Sequence, residues 1–131
     1  RSSGLRPTKQ RLKICEVLFN AEKTFHFTIN DLSKIISEKL SEKISLATVY
    51  NTIHAFKKKG YLKEISINSD RNYFDTNISA HHHFYDEDTN ELIDCNENDI
   101  DSINVKNNIT GKKINSVEVL IKVASDNQNQ N

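Results

Sequence analysis

The sequence is poor in the features that mark membrane, secreted and phosphate-binding proteins. Among 131 residues there are only two cysteines, one proline and three glycines. No apolar run approaches the roughly 18 residues that read as a membrane-spanning helix, and two distant cysteines provide no disulfide framework. A glycine-rich phosphate loop, H-E-x-x-H and G-x-S-x-G are all missing. We therefore expect a cytoplasmic protein that does not contact the membrane and is not an enzyme.

The charges are divided unequally along the chain, although the net charge is zero. Residues 1–66 contain 13 Lys and Arg against 6 Asp and Glu, which gives +7, whereas residues 67–131 contain 5 against 12, which gives −7. A basic module suits a polyanion such as nucleic acid, and an acidic module suits cations. The division predicts two modules with different partners, against the simpler alternative of a dipolar surface without function.

Apolar residues at three- and four-residue steps predict two helices in the first forty residues. The first runs over residues 8–20, and its predicted apolar face is Leu12, Cys15, Leu18 and Phe19. The second follows the segment Thr28-Ile-Asn-Asp31, which has the form of a capping box. Its predicted apolar stripe is Ile29, Leu32, Ile35, Ile36 and Leu40.

A third helix and a β-hairpin complete the basic half. Ser45 is the expected N-cap, and the helix ends in Lys57-Lys-Lys-Gly60, where basic side chains meet the negative pole of the helix. Its predicted inner face is Leu46, Val49, Ile53 and Phe56. Strands near residues 62–67 and 71–75 flank a turn at Asn68-Ser-Asp70. Three helices and a hairpin predict a winged helix-turn-helix.

The acidic half reads as a small α+β module. Residues 81–85 and 90–94 are predicted to be short strands, residues 97–108 a weak acidic helix, and residues 113–123 an alternating strand. The polar residues 126–131 are expected to be disordered.

The third helix is the predicted DNA-reading element, since its outer face lies away from the apolar stripe. Asn pairs with adenine, Tyr stacks on or bonds to the duplex, and basic residues contact phosphates. Arg6, ahead of the first helix, is expected to act as a minor-groove arm. The candidate DNA-binding residues are Arg6, Arg11, Ser45, Thr48, Tyr50, Asn51 and Lys57. The alternative is an ordinary amphipathic helix with a solvated outer face, and His54 is assigned to DNA or solvent.

Three consecutive histidines, His81 to His83, form the most unusual segment of the acidic half. In an extended chain His81 and His83 share one side and His82 takes the other. Imidazole and carboxylate ligands suit Fe, Mn, Zn or Co, and His26 is a further candidate ligand. Nearby carboxylates are Asp75, Asp86, Glu87, Asp88 and Asp94. The run predicts a metal or haem site, and a metal-dependent nuclease is a distant alternative that the acidic surroundings disfavour.

Four segments resemble, in order, the ferric uptake regulator (Fur) superfamily. They are Gly4-Leu-Arg-Pro-Thr-Lys-Gln-Arg11, Ser45-Leu-Ala-Thr-Val-Tyr-Asn-Thr52, Tyr73-Phe-Asp-Thr-Asn77, and His81-His-His-Phe84 with Asn90-Glu-Leu-Ile-Asp94. The last segment looks most like the iron response regulator (Irr) branch. The resemblance implies a dimeric, metal-responsive transcription factor of α+β fold. Its winged-helix DNA-binding domain would cover residues 4–76, and a small α/β dimerisation domain residues 77–125.

The resemblance also implies roles for single residues. Tyr50 and Asn51 match the base-contacting pair of the recognition helix, and Arg6 matches the basic minor-groove residue. The ligands of the Fe²⁺ or Mn²⁺ site of the peroxide-sensing branch match five positions of this chain, which are His26, Asp75, His81, His83 and Asp94.

Departures from the family pattern limit which metals and cofactors we expect this chain to bind. Asp86 and Thr89 occupy positions where many members have zinc-binding cysteines, so a structural zinc is unlikely. Family members have a second metal site with a histidine near the C-terminus, and Val117 occupies the position of that histidine here. His82 and Asp101 would then be an incomplete ligand set for the second site. An N-terminal Cys-Pro haem motif is missing, so haem is expected to bind at His81, His82 and His83. The main hypothesis is a regulator that loses DNA affinity on haem binding, and the alternative is control by Mn²⁺ or Fe²⁺.

Overall fold

The computed structural model describes residues 7–41 and 43–126 and divides into two compact units, the first ending at Ile78 and the second beginning at Ser79. Arg6 and residues 127–131 of the expected tail lie outside the described residues. The first unit contains three helices and a three-stranded antiparallel sheet of order β1-β3-β2. In chain order its elements are α1 (Pro7–Phe19), β1 (His26–Phe27), α2 (Ile29–Lys39), α3 (Leu46–Lys58), β2 (Lys63–Asn68) and β3 (Arg71–Asp75).

The helix starts follow from local side-chain bonds, and both predicted caps are confirmed. The Thr28 hydroxyl accepts the Asp31 N–H at 3.1 Å, and the Asp31 carboxylate accepts the Thr28 N–H at 3.3 Å, which completes the capping box. The Ser45 hydroxyl accepts the Thr48 N–H at 3.1 Å and so begins α3. These bonds satisfy backbone donors that have no partner within the helix.

The end of α3 is fixed by a glycine. Gly60 has φ +84°, a left-handed conformation that costs glycine little. The Gly60 N–H reaches the Lys57 carbonyl, and the Tyr61 N–H reaches the Phe56 carbonyl, both at 2.9 Å. This is a Schellman ending, and it turns the chain from the helix into β2, the first strand of the predicted hairpin.

The core of the first unit lies between the helices and one face of the sheet. It consists of Ile14, Leu18, Phe27, Leu32, Ile36, Ile44, Val49, Ile53, Leu62 and Phe74. The predicted face of α1 is largely wrong, because Ile14 is fully buried while Leu12 is 62% exposed. Ile14 and Leu18 are four residues apart and lie on one helix face. Leu46 was also misassigned, since at the first position of α3 it is exposed to solvent.

The second unit is built on a sheet of order β5-β4-β6, in which β4 is antiparallel to β5 and parallel to β6. The strands are β4 (His83–Asp86), β5 (Glu91–Asp94) and β6 (Leu120–Val123). Asn90, at φ +61°, closes the turn between β4 and β5, and its side-chain oxygen accepts the Tyr85 hydroxyl at 2.9 Å.

Two predictions for this unit are corrected. Residues 97–108 are all described and contain no helix. The segment is rich in Asn, Asp and β-branched residues, which favour turns or extended backbone over helix, and the Asp99 N–H closes a turn on the Asn96 carbonyl. The strand predicted over residues 113–123 is limited to Leu120–Val123, because β4 offers only four residues for pairing.

Among the residues that the structure describes, no helix is both long enough and apolar enough to cross a membrane.

Candidate DNA-reading face and metal centre

The exposed face of α3 carries the predicted base-reading residues. Val49, Thr52 and Ile53 are buried, whereas Tyr50 is 52% exposed and Asn51 is also exposed. The buried residues anchor the helix, which leaves Tyr50 and Asn51 available to a ligand. A concavity of about 500 Å³ adjoins this face. It is lined by the start of α2, by the β2–β3 turn, and by Leu46, Tyr50, His54 and Phe74.

The other predicted DNA-binding residues occupy different environments. Arg11 is exposed on α1, and Arg6 is outside the described residues. The hydroxyl of Ser45 is already engaged, since it caps α3 and also donates to the Thr48 hydroxyl at 2.9 Å. Ser45 is therefore first of all a helix cap. A DNA contact by any of these four side chains stays a prediction.

Lys57 makes an ion pair inside the unit. Its ammonium group donates to the Glu64 carboxylate, whose other oxygen accepts the Asn72 side-chain amide at 2.8 Å. Glu64 lies on β2 and Asn72 on β3, so the network joins the end of α3 to the hairpin. A contact of Lys57 with phosphate would compete with Glu64.

In the second unit, His81, His83 and Asp94 form a compact cluster, with one ligand atom of each within 4.8 Å of the others. His83 and Asp94 are cross-strand partners in β4 and β5. The Asp94 Oδ1 lies 3.1 Å from Nε2 of His83 and 3.5 Å from Nε2 of His81. The ring centroids of His81 and His83 are 4.3 Å apart. The sequence prediction that His81 and His83 point to the same side agrees with this geometry.

The tautomer of His81 suits metal binding. Its Nδ1 lies 2.7 Å from the Ser79 carbonyl oxygen, which can only accept a hydrogen bond. The proton of the neutral ring is therefore on Nδ1, and the Nε2 lone pair faces Asp94. Metal-binding histidines are commonly oriented by a bond of this kind from the other ring nitrogen.

His82 is held in the opposite tautomer. Its Nδ1 accepts the Val119 N–H at 2.9 Å, so a neutral ring carries its proton on Nε2. Nε2 then has no free lone pair for a metal.

His82 lines a cavity of about 380 Å³ together with Cys95, Asp101 and Val117. Burial raises the pKa of the Cys95 thiol, and the negative charges of Asp99 and Asp94 raise it further, so the thiolate form is scarce at neutral pH.

The first unit places the two remaining candidate ligands side by side. His26 in β1 and Asp75 in β3 are cross-strand partners. Asp75 is only 1% exposed, and its Oδ1 accepts the Asn77 N–H at 2.9 Å. A carboxylate so thoroughly removed from water is costly unless charge or hydrogen bonds compensate it, and the bond from Asn77 is one such compensation. Both residues were candidate ligands from their side-chain chemistry, and the family resemblance implied that they belong to one site with His81, His83 and Asp94.

Asp86 and Thr89, for which the family resemblance implied departures from a zinc-binding pattern, serve a turn here. The Asp86 carboxylate accepts the N–H groups of Asp88 at 2.9 Å and Thr89 at 3.3 Å, which stabilises the turn from β4 to β5. Cys15 and Cys95 are free thiols.

Comparison with known proteins identifies the family. The model of the ferric uptake regulator family matches residues 2–123. The chain is 30% identical over 115 residues to the peroxide operon regulator of Bacillus subtilis, covering 87% of this chain and 77% of that protein. It is 32% identical over 107 residues to the ferric uptake regulation protein of Pseudomonas fluorescens, covering 81% and 85%.

Solved structures show the same fold. The ferric uptake regulator of Pseudomonas aeruginosa with manganese superposes with a TM-score of 0.63 at 21% identity, covering 92% of this chain and 88% of that one. The peroxide stress regulator of Campylobacter jejuni gives 0.62 at 22% identity, covering 93% and 90%. The expected fold, an N-terminal helix-turn-helix domain followed by a small α/β domain, is thereby confirmed. Members of the family are metal-responsive transcription regulators that bind DNA as dimers and are not enzymes. The chain belongs to the ferric uptake regulator family.

Proposed function

We propose that this protein binds operator DNA as a homodimer and that Mn²⁺ or Fe²⁺ controls the binding. The ion is held by His26, Asp75, His81, His83 and Asp94. The observation that carries the proposal is the cluster of His81, His83 and Asp94, in which the Ser79 carbonyl sets the His81 tautomer required of a ligand. The protein's relatives include peroxide-responsive and ferric uptake regulators.

The ligand chemistry favours these ions. Three imidazole nitrogens and two carboxylate oxygens make a donor set without thiolate, and carboxylate-rich sets suit manganese and iron better than thiolate-selecting ions. Five donors also exceed the four of a closed tetrahedral zinc site. The first unit would supply His26 and Asp75, and the second unit the other three ligands. An ion that binds the DNA-binding state more tightly than the other state would then raise the affinity for the operator.

The haem-controlled alternative, typical of the Irr branch, has less geometric support. Its expected ligand His82 has Nδ1 engaged by Val119. Coordination of haem iron through Nε2 would require loss of this bond or removal of the ring proton. His81 and His83 share Asp94 and are better placed for a small ion than for a porphyrin.

Exposed apolar side chains in the second unit support a homodimer. Between residues 101 and 118 several apolar side chains are exposed in a segment without regular secondary structure, and we infer that they form one association surface. They are Ile103, Val105, Ile109, Ile114 and Val117. The basic first unit would contact the duplex through Tyr50 and Asn51 on α3.

The experiment begins with selection of an operator from random duplexes by the Mn²⁺-loaded protein. Gel retardation is then measured with Mn²⁺, with Fe²⁺ under anaerobic conditions, and with haemin. We expect either divalent ion to tighten operator binding, and haemin to give no stoichiometric Soret shift.

Two histidine variants separate the hypotheses. His26→Ala should abolish the divalent-ion response, and His82→Ala should leave it intact. Loss of DNA affinity on stoichiometric haemin binding, removed by His82→Ala, would instead establish haem control. An operator affinity that ignores Mn²⁺ and Fe²⁺ would contradict the divalent-ion proposal.

A further inference from the structure

We infer that His54 is a positioning residue that connects the metal-ligand strands of the first unit to the DNA-reading residue Tyr50. The inference rests on the proposed function, because it assigns the route by which metal occupancy reaches the recognition helix. The route lies entirely within the first unit and is formed by four aromatic rings. In order they are Phe27, Phe74, His54 and Tyr50.

The outer end of the route is the contact between His54 and Tyr50. The two residues are four positions apart on α3, so their side chains lie on the same helix face. Their ring centroids are 4.2 Å apart with an interplanar angle of 45°. Tyr50 is half exposed and would otherwise be free to change rotamer. His54 therefore restricts the direction in which Tyr50 presents its ring and hydroxyl to DNA.

The inner end of the route is held in the core. The His54 ring meets Phe74 edge to face, with centroids 5.5 Å apart and an interplanar angle of 85°. Phe74 is 2% exposed and stacks on Phe27 at 6.1 Å, its cross-strand partner in β1. His54 is partly buried and packs between the rings of Tyr50 and Phe74. A positioning role explains this placement, and it does not require His54 to contact a base.

The strands that carry Phe27 and Phe74 also carry two candidate metal ligands. His26 pairs with Asp75 one register position away. Neighbouring residues on a strand point to opposite faces, so the ligands occupy one face and the phenylalanines the other. The edge-on contact of His26 with Tyr73 at 6.1 Å agrees with this division. A shift of β1 and β3 on metal binding must displace Phe74, and through His54 it changes the orientation of Tyr50.

The test measures a coupling factor, which is the operator Kd without Mn²⁺ divided by the Kd with saturating Mn²⁺. His54→Leu removes the ring, and we expect it to reduce the coupling factor by about two- to tenfold, the range for loss of one aromatic pair. His54→Phe keeps a ring and should restore the coupling to within about twofold of wild type. Direct Mn²⁺ binding without DNA is measured for each variant.

The matched control is Phe56→Leu. Phe56 lies on the same helix but packs against Phe19 at 5.9 Å and Tyr61 at 6.1 Å. Its loss should lower the melting temperature and leave the coupling factor unchanged. His54→Gln, which is polar and lacks a ring, replaces the leucine variant if that variant is unfolded at the assay temperature.

The outcomes distinguish the two levels of the hypothesis. A wild-type protein whose operator affinity does not respond to Mn²⁺ overturns the proposed function, and this inference falls with it. A wild type that responds, together with an equal response in His54→Leu or His54→Gln, overturns the inference alone. Equal losses in His54→Leu and Phe56→Leu would also overturn it, because the effect would then be one of general packing.

Discussion

Asp94→Asn is the most direct perturbation of the proposed metal centre. The Asp94 Oδ1 lies within 3.5 Å of both His81 and His83, and the change to an amide keeps the shape of the side chain while it removes the negative charge. Loss of outer-shell partners alone typically costs 10- to 100-fold in metal affinity. We therefore expect the substitution of a ligand to weaken Mn²⁺ binding by about 100-fold or more.

The effect on stability follows from mass action. At a Mn²⁺ concentration 100 times the wild-type Kd, binding adds about 2.7 kcal/mol to the free energy of unfolding. A variant with 100-fold weaker affinity gains only about 0.4 kcal/mol under the same conditions. For a chain of this length about 1 kcal/mol corresponds to roughly 4 °C in melting temperature. Mn²⁺ should therefore raise the melting temperature by about 11 °C in the wild type and by about 2 °C in Asp94→Asn.

Circular dichroism melting with and without MnCl₂ measures both shifts, and each variant serves as its own apo reference. Glu91→Gln is the matched control, since Glu91 is an exposed carboxylate on the same strand, outside the cluster. It should keep the full Mn²⁺ shift. An Asp94→Asn protein that Mn²⁺ stabilises as much as the wild type would refute the assignment of Asp94 as a ligand.

Three further predictions concern DNA binding and acid stability. Tyr50→Ala should weaken operator binding more than binding to random duplex in parallel retardation assays, and equal losses would contradict base reading. Glu64→Gln releases Lys57 to phosphate and should steepen the slope of log K against log salt by about 0.9, the value for one added contact; an unchanged slope would show that Lys57 does not reach DNA. The Ser125 hydroxyl and N–H hold the pKa of Asp88 below its usual value, so this pair contributes stability that is present above the ordinary carboxyl pKa and lost as pH falls. Ser125→Ala removes the hydroxyl and keeps the N–H, so it should reduce that contribution, which acid titration followed by circular dichroism would detect as less loss of stability between neutral and acid pH.

The features that were predictable from sequence depend on neighbouring residues. The Thr28–Asp31 capping box, the Ser45 cap and the Gly60 ending each arise within one turn of helix, so a short segment specifies them. The β2–β3 hairpin likewise follows from a short turn at residues 68–70.

The features that were missed depend on packing between distant segments. The inward face of α1 is decided by its fit to α2 and α3, which selects Ile14 over Leu12. The length of β6 is decided by β4, which lies more than thirty positions earlier in the chain. Periodicity within one segment contains no information about either constraint.

The histidine run shows how distant contacts determine chemistry. His81 and His82 are adjacent and identical in type, yet one meets a carbonyl oxygen at Ser79 and the other an N–H at Val119. The resulting tautomers are opposite, so only the first ring is ready to bind a metal through Nε2. The difference depends on β6, which no pattern around residue 82 specifies.

The hydrogen bond from Val119 to His82 opposes ligation of haem by His82 but does not oppose the binding of a divalent ion. Val119 donates its N–H to His82 and accepts the His83 N–H at 3.0 Å, at the point where β6 joins β4. A haem iron bound to Nε2 of His82 would require loss of the first of these bonds or removal of the ring proton, and a hydrogen bond of this kind contributes about 0.5–1.5 kcal/mol net. An ion bound by His81, His83 and Asp94 leaves both bonds in place, because it uses the Nε2 atoms that already face the Asp94 carboxylate. A divalent ion at His81, His83 and Asp94 would therefore bind without rearranging this sheet, whereas haem ligated by His82 would not.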